Sequence, residues 1–113
     1  MPHNLIVSRN RSMIAFLRER YLGTEWEITD EPSRAIEVLG KEPFDRIFCD
    51  YWLDREPANG RDLSLWLGAH PDINPAVQFI ATTDNAKKGQ QMIAECGRVA
   101  YHIPGHVIEA LGA

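Results

Sequence analysis

The sequence has few of the features that mark secreted, membrane or metal-binding proteins. It holds only two cysteines, Cys49 and Cys96, and no Cys-x-x-Cys or Cys/His spacing that suggests a metal site. Both cysteines lie in apolar surroundings, which predicts buried thiols in a reducing compartment. No apolar stretch approaches the ~20 residues that a membrane-spanning helix needs, and the first residues lack the basic segment of a signal peptide. We therefore expect a cytoplasmic protein without a membrane partner.

Basic residues do not form long runs either. The longest run is Lys87-Lys88, in a chain of 113 residues with a net charge of -4. A mildly acidic chain repels phosphate backbones unless its basic residues cluster. We therefore expect no DNA binding, whereas a small nucleotide or phosphate ligand is compatible with these charges.

What the sequence does contain is one domain, residues 1–113, in which short apolar runs alternate with segments of helical periodicity. Five strands are expected, over 5–7, 25–29, 46–49, 76–81 and 99–103. Five helical segments follow them, the last a short one over 106–111. Thr29 or Asp30 is expected to cap the second helix and Asp84 the fourth. Trp66 shares helical spacing with Leu63, which predicts a core position.

Strands that alternate strictly with helices pair in parallel, because parallel neighbours need a long crossover. Right-handed crossovers then place helices on both faces of one sheet. In such sheets ligand chemistry collects at the carboxyl ends of the strands. The residues that end the predicted strands are Ser8, Arg9, Asp50, Thr82, Thr83 and His102.

Four segments resemble the receiver domain of bacterial two-component signalling, and the resemblance covers nearly the whole chain. They are Ile47-Phe48-Cys49-Asp50, Asn59-Gly60-Arg61-Asp62, Phe79-Ile80-Ala81-Thr82 and Pro104. The resemblance implies a flavodoxin-like, doubly wound α/β sandwich of three layers. Its five-stranded parallel sheet would have the order 2-1-3-4-5, with a short last helix.

The same resemblance implies a site. Asp50 falls at the position of the phosphoacceptor, a carboxylate nucleophile, and Thr82 at the position of a hydroxyl that binds the phosphoryl group. Receivers also use an acidic pair to hold Mg²⁺ and a lysine before the proline. Here the acidic pair is replaced by Ser8-Arg9-Asn10, and Ile103 precedes Pro104.

These departures change what the site is expected to do. Asp50, helped at most by Asp54, makes a poor Mg²⁺ site, so we expect no metal or other cofactor unless the site is active. Arg9 is instead expected to pair with Asp50, as a fixed cation in place of the metal.

A second, narrower resemblance is to a receiver-like family predicted to process cyclic phosphates. It is carried by Gly60, Trp66-Leu67, the stretch Thr82-Thr83-Asp84-Asn85, and Met92. The histidine expected in that family is replaced by Thr82, and its second aspartate falls on Trp52. If this cleft binds an anion, Thr82, Thr83, Asn85 and Lys87 would surround it, at a helix N-terminus.

Three further candidates each allow two interpretations. His102 is a proton carrier or phosphate donor, or simply a hydrogen-bonded residue beside a turn. Tyr51 and Trp52 either pack the loop after Asp50 or offer an exposed binding face. His3, His70 and His106 have no ligand spacing with one another, which argues against a metal site.

The leading hypothesis is a pseudo-receiver: a regulatory module that binds a protein partner without phosphate chemistry. The alternatives are a working phosphoacceptor, in which Asp54 and Asp84 replace the acidic pair, and a protein that binds or processes cyclic phosphates or nucleotides. The sequence does not decide whether the chain is an enzyme and favours a non-enzyme.

Overall fold

The computed structural model describes residues 2–53 and 59–110, so Asp54 lies outside the described residues. Strands and helices alternate throughout, as the apolar periodicity predicts. The elements are β1 (His3–Val7), α1 (Arg11–Arg20), β2 (Glu25–Thr29), α2 (Pro32–Leu39), β3 (Arg46–Cys49), α3 (Gly60–Ala69), β4 (Gln78–Ala81), α4 (Ala86–Glu95), β5 (Ala100–His102) and α5 (Gly105–Ala110).

The five strands form one sheet in the order β2-β1-β3-β4-β5, and every pairing is parallel. This confirms the predicted topology. The last two strands are shorter than expected, because their pairing covers only three residue pairs, from Phe79 with Ala100 to Ala81 with His102.

Two apolar clusters fix the layers. Alternate strand residues point to opposite faces, so Leu5, Ile47 and Phe79 pack under α2, α3 and α4. The other face carries a smaller cluster beneath α1 and α5, made of Ile6, Met13, Leu17, Phe48, Ile80 and Ile108.

Both cysteines are free and buried in the larger cluster, as predicted. Burial raises the pKa of the Cys49 thiol and of the Cys96 thiol, so neither side chain has the character of a reactive thiolate.

Two of the predicted helix caps were wrong. The N-cap of α4 is Asn85, whose Oδ1 accepts from the Lys88 N–H at 3.0 Å, and not Asp84. The N-cap of α2 is Glu31, which makes no side-chain capping bond, while Thr29 Oγ1 accepts from the Glu31 N–H at 3.0 Å. In each case the helix begins one or two residues later than the candidate cap requires.

The predicted core position of Trp66 holds only in part. Trp66 is half-buried at the margin of the larger cluster, and its ring stacks on His70 with centroids 4.4 Å apart. None of the helices within the described ranges has the length and apolar character that crossing a membrane requires.

Candidate functional site

Asp50 and Thr82 lie side by side at the carboxyl edge of the sheet. β3 and β4 are in register with Cys49 opposite Ala81, so these two residues are the next neighbours along the paired strands. The Thr82 N–H donates to Cys49 O at 2.9 Å, and the Asp50 N–H donates to Val7 O at 2.9 Å. The structure thus brings together two of the six residues that the strand-end argument selected.

The Asp50 carboxyl is half-buried, and its Oδ1 accepts from the Tyr51 N–H at 2.8 Å. Burial raises the pKa of Asp50, and the negative charge of Asp84 raises it further, against the lowering effect of backbone N–H groups of Tyr51 and Trp52. Burial and the charge of Asp84 thus make the carboxylate form of Asp50 costlier than it is in water, and a phosphoacceptor acts in that form.

Arg9 lies on the surface, beside an open cleft that Thr29 and Asp30 also line. A salt bridge between Arg9 and Asp50 would lower the pKa of the carboxyl. Because the pKa of Asp50 is raised, the effect of burial outweighs any lowering of this pKa by Arg9. The pairing of Arg9 with Asp50 stays a prediction.

The positions that would hold an acidic pair serve the backbone of their own segment. Ser8 is buried, and its Oγ accepts from the Asn10 N–H at 3.0 Å. Asn10 Oδ1 accepts from the Met13 N–H at 3.1 Å and so caps α1. The segment Ser8-Arg9-Asn10, where a receiver has its acidic pair, thus uses a hydroxyl and an amide to bind its own backbone.

The end of β5 offers no cation to Asp50. Ile103 packs against the cluster beneath α1 and α5. His102 belongs to the opposite face, where its Nε2 donates to Thr83 O at 2.7 Å. Its ring fills the space above Gly89, where an added Cβ would lie only 2.6 Å away. His102 therefore ties the loop after β4 to β5 and α4.

The two threonines differ in their hydrogen bonding, although both are buried. Thr83 Oγ1 accepts from the Asn85 N–H at 3.3 Å. Thr82 Oγ1 has no hydrogen-bond partner within residues 2–53 and 59–110. Of the four residues predicted to surround an anion, Thr83 and Asn85 already serve the start of α4, and Lys87 is exposed in its first turn.

Tyr51 and Trp52 divide between them the two interpretations that the sequence left open. Tyr51 is buried and packs the loop, with Lys88 Nζ 4.9 Å from its ring centroid. Trp52 is 56% exposed and meets Tyr51 edge to face, with centroids 4.7 Å apart. Tyr51 thus packs into the protein, and Trp52 presents an aromatic face to solvent.

The receiver fold implies Mg²⁺, and the described residues do not fit that ion. Within them no group of three or more His, Cys, Asp or Glu could hold a metal. The second carboxylate near Asp50 is Asp84, whose Oδ1 accepts from His106 Nδ1 at 2.6 Å and from the His106 N–H at 3.1 Å. Among the described residues near Asp50, a hard cation that wants several oxygen ligands finds one carboxylate that is not already engaged.

Sequence reasoning missed the contacts of Lys88 with Tyr51 and of His106 with Asp84. The second pair is 22 residues apart in the chain, and no spacing rule connects such positions. For the first pair, the sequence shows only that Lys88 lies in the first turn of the predicted fourth helix.

Comparisons with known proteins support the fold. No protein-family model matches the sequence, and no curated protein matches it. Among solved structures, the chain is similar to a CheY-like response regulator receiver domain protein from Methanospirillum hungatei, with 17% identity and a TM-score of 0.63 over 99% of this chain and 91% of that one.

Two further structures are alike in the same way. The Mn²⁺-bound form of response regulator Rcp1 has 17% identity and a TM-score of 0.67, over 98% of this chain and 89% of that one. The phosphorylated cyanobacterial phytochrome response regulator RcpA has 14% identity and a TM-score of 0.68, over 97% and 90%. This chain has the fold of response-regulator receiver domains.

Proposed function

We propose that this chain is a regulatory module with the receiver fold, which acts in the cytoplasm by binding a protein partner, without Mg²⁺-dependent phosphorylation of Asp50. The observation that carries the proposal is the composition of the carboxyl edge. The segment Ser8-Arg9-Asn10 stands where metal-binding carboxylates are needed; Asn10 caps α1, and Ser8 Oγ accepts from the Asn10 N–H. Ile103 stands where a lysine is needed and packs, half-buried, against the cluster beneath α1 and α5.

The physical reason concerns charge. Phosphoryl transfer to a carboxylate brings negative groups together, and catalysis of this reaction consists of positioning plus neutralisation by metal ions and cations. Near Asp50, Asp84 adds negative charge and the pKa of Asp50 is raised. The site therefore opposes the charge that the reaction would build.

The test is a proton–nitrogen NMR titration with Mg²⁺ and then with beryllofluoride, which stands in for a bound phosphoryl group. We expect no saturable shifts at the amides of Asp50, Thr82 and Thr83. Incubation with acetyl phosphate should leave the intact mass unchanged. Mg²⁺-dependent labelling that disappears in Asp50→Asn would overturn the proposal.

A second candidate is a working phosphoacceptor, and one observation favours it. The Thr82 hydroxyl is buried beside Asp50 and, within the part of the chain that the structure describes, has no partner. A hydroxyl so placed is available to a phosphoryl oxygen. The same titration separates the two functions, because saturable shifts at Thr82 with beryllofluoride are expected only for a phosphoacceptor.

A further inference from the structure

Positive charge is concentrated on α1 although the protein is acidic. The helix carries Arg11, Arg18 and Arg20 and a single acid, Glu19, which is a net charge of +2. The whole chain carries -4, so the residues outside α1 carry -6. These arginines are not consecutive in the sequence, so the longest run of basic residues does not reveal them.

The arginines of α1 also lack the ion pairs that other cations of the molecule have. Elsewhere Arg34 pairs with Glu27 and Glu37, Lys41 with Glu37, and Arg61 with Glu95. Within the described residues no ion pair or side-chain hydrogen bond involves Arg11, Arg18 or Arg20, and all three are exposed. Their charge is therefore not neutralised by the described part of the chain.

The helix geometry arranges part of this charge in one stripe. Met13 and Leu17 are buried against the sheet, whereas Arg11, Ala15 and Arg18 recur at spacings of four and three on the solvent side. Seven residues of helix separate the two arginines by about 10 Å along the axis. Leu22, 85% exposed, follows in the turn after the helix. We name Arg11, Ala15, Arg18 and Leu22 the α1 surface.

We propose that the α1 surface docks an acidic amphipathic helix of a protein partner, with Arg11 and Arg18 pairing carboxylates two turns apart. Arginine suits this role because its planar fork binds a carboxylate bidentately. Ala15, between the two arginines, lets another helix approach closely. Ion pairs that stay hydrated contribute little binding free energy, and Leu22 adds an apolar contact beside them.

Charge complementarity identifies the occupant. An acidic segment is attracted to the α1 surface, and opposite charges steer such encounters and set their specificity. An extended polyanion such as a nucleic acid would in addition meet the -6 carried by the rest of the chain. The inference rests on the proposed function, since it assumes that the module works through a protein partner.

The experiment uses a synthetic helical peptide of about 20 residues, with leucines on one side and glutamates at seven-residue spacing. Its counterpart has glutamine in place of every glutamate. We expect saturable proton–nitrogen shifts over residues 11–22 with the glutamate peptide and none with the glutamine peptide. Raising the salt concentration should weaken binding, because exposed charges are screened.

Matched variants locate the charge. Arg11→Gln with Arg18→Gln should weaken binding of the glutamate peptide about fivefold or more. Arg34→Gln with Lys41→Gln removes the same charge from α2 and the turn after it, on the opposite face of the sheet, and should leave binding unchanged. Thermal melts of both variants confirm that each is folded. Equal weakening by the two variants would overturn the proposal.

Other occupants are outcomes of the same experiment. Heparin or duplex DNA producing the same shifts with equal affinity would show a general polyanion surface and overturn the proposal. Salt-sensitive self-association in sedimentation, lost in the Arg11/Arg18 variant, would identify a second copy as the occupant and also overturn it. Acetyl phosphate labelling of Asp50 tests the proposed function separately, because α1 takes no part in it.

Discussion

The two helical layers of this molecule treat their polar groups differently. In the α2–α3–α4 layer, Arg61 Nε donates to both carboxylate oxygens of Glu95, at 3.1 and 3.0 Å. In the α1–α5 layer, the arginines of α1 have no such partner among the described residues, and Leu22 is largely exposed. Arg61 of the first layer is therefore paired within the molecule, whereas the arginines of α1 face solvent.

Close backbone packing follows the same division. At Gly68 of α3, an added Cβ would lie 2.2 Å from Glu95 O of α4, so these two helices touch at their backbones. Under α1, by contrast, Asn4 and the Trp26 indole N–H are buried without a hydrogen-bond partner in the described ranges. They occupy neighbouring positions in the register of β1 and β2. The difference teaches that the closest backbone contact between helices and these unpaired buried groups lie on opposite faces of the sheet.

The largest effect is expected from a substitution in the α2–α3–α4 layer. Gly68→Ala should lower the free energy of unfolding by about 3 kcal/mol, because the methyl group must displace the backbone of α4. The matched control is Gly40→Ala, where the nearest atoms to an added Cβ are 3.5 Å away. That variant should change stability by about 0.5 kcal/mol or less. Urea unfolding measures both, and equal effects would show that α3 and α4 are not packed this closely.

The next largest effect is expected from a substitution in the α1–α5 layer. Asn4→Leu should raise the free energy of unfolding by about 2 kcal/mol, because it replaces a buried, unpaired amide with an apolar side chain of similar size. Asn74→Leu is the control, since the Asn74 side chain donates to Leu39 O and Glu42 O and accepts from the Phe44 N–H. The control should be destabilised, and a destabilised Asn4→Leu would contradict the account of this layer.

The third prediction concerns pH and Asp50. Its pKa is raised in the folded state, mainly by burial, so the folded protein holds this proton more tightly than the unfolded chain. The stabilising contribution is complete below the unfolded-state pKa of about 3.9 and is lost as the pH rises through the folded-state pKa. Asp50→Asn should therefore raise Tm at pH 7 by a few degrees and lose this advantage towards pH 3. A lower Tm at pH 7 would indicate that a cation stabilises the carboxylate.

The smallest effect is expected at the exposed pair of Asp84 and His106. Burial alone would raise the pKa of Asp84, but the hydrogen bonds and charge of His106 outweigh it, and the pKa is lowered. Its contribution to stability is present above the unfolded-state pKa of about 3.9 and is lost as the pH falls through the folded-state pKa. His106→Ala should cost about 0.5 kcal/mol or less at pH 7. Thermal melts from pH 3 to pH 7 would contradict this if the difference grew on acidification.

Much of the candidate site followed from the sequence because its logic is topological. Asp50 and Thr82 end consecutive strands that are neighbours in the order 2-1-3-4-5, which the resemblance to receivers implied, and their proximity needs no detail of packing. The roles of His102 and Lys88 did not follow. Which face a strand-end histidine takes, and which ring a lysine reaches, depends on distances between elements far apart in the chain.

The sequence by itself determined the alternation of strands and helices, the parallel sheet that this alternation requires and, through the resemblance to receivers, that residues 8–10 lack the acidic pair. These are properties of periodicity and residue type, which local physics reads directly. Only the tertiary structure decided that Ile103 packs against the cluster beneath α1 and α5, that Asp84 is engaged by His106, and that the arginines of α1 remain unpaired among the described residues. Whether a charge is neutralised depends on what packs beside it, and that neighbour comes from another part of the chain.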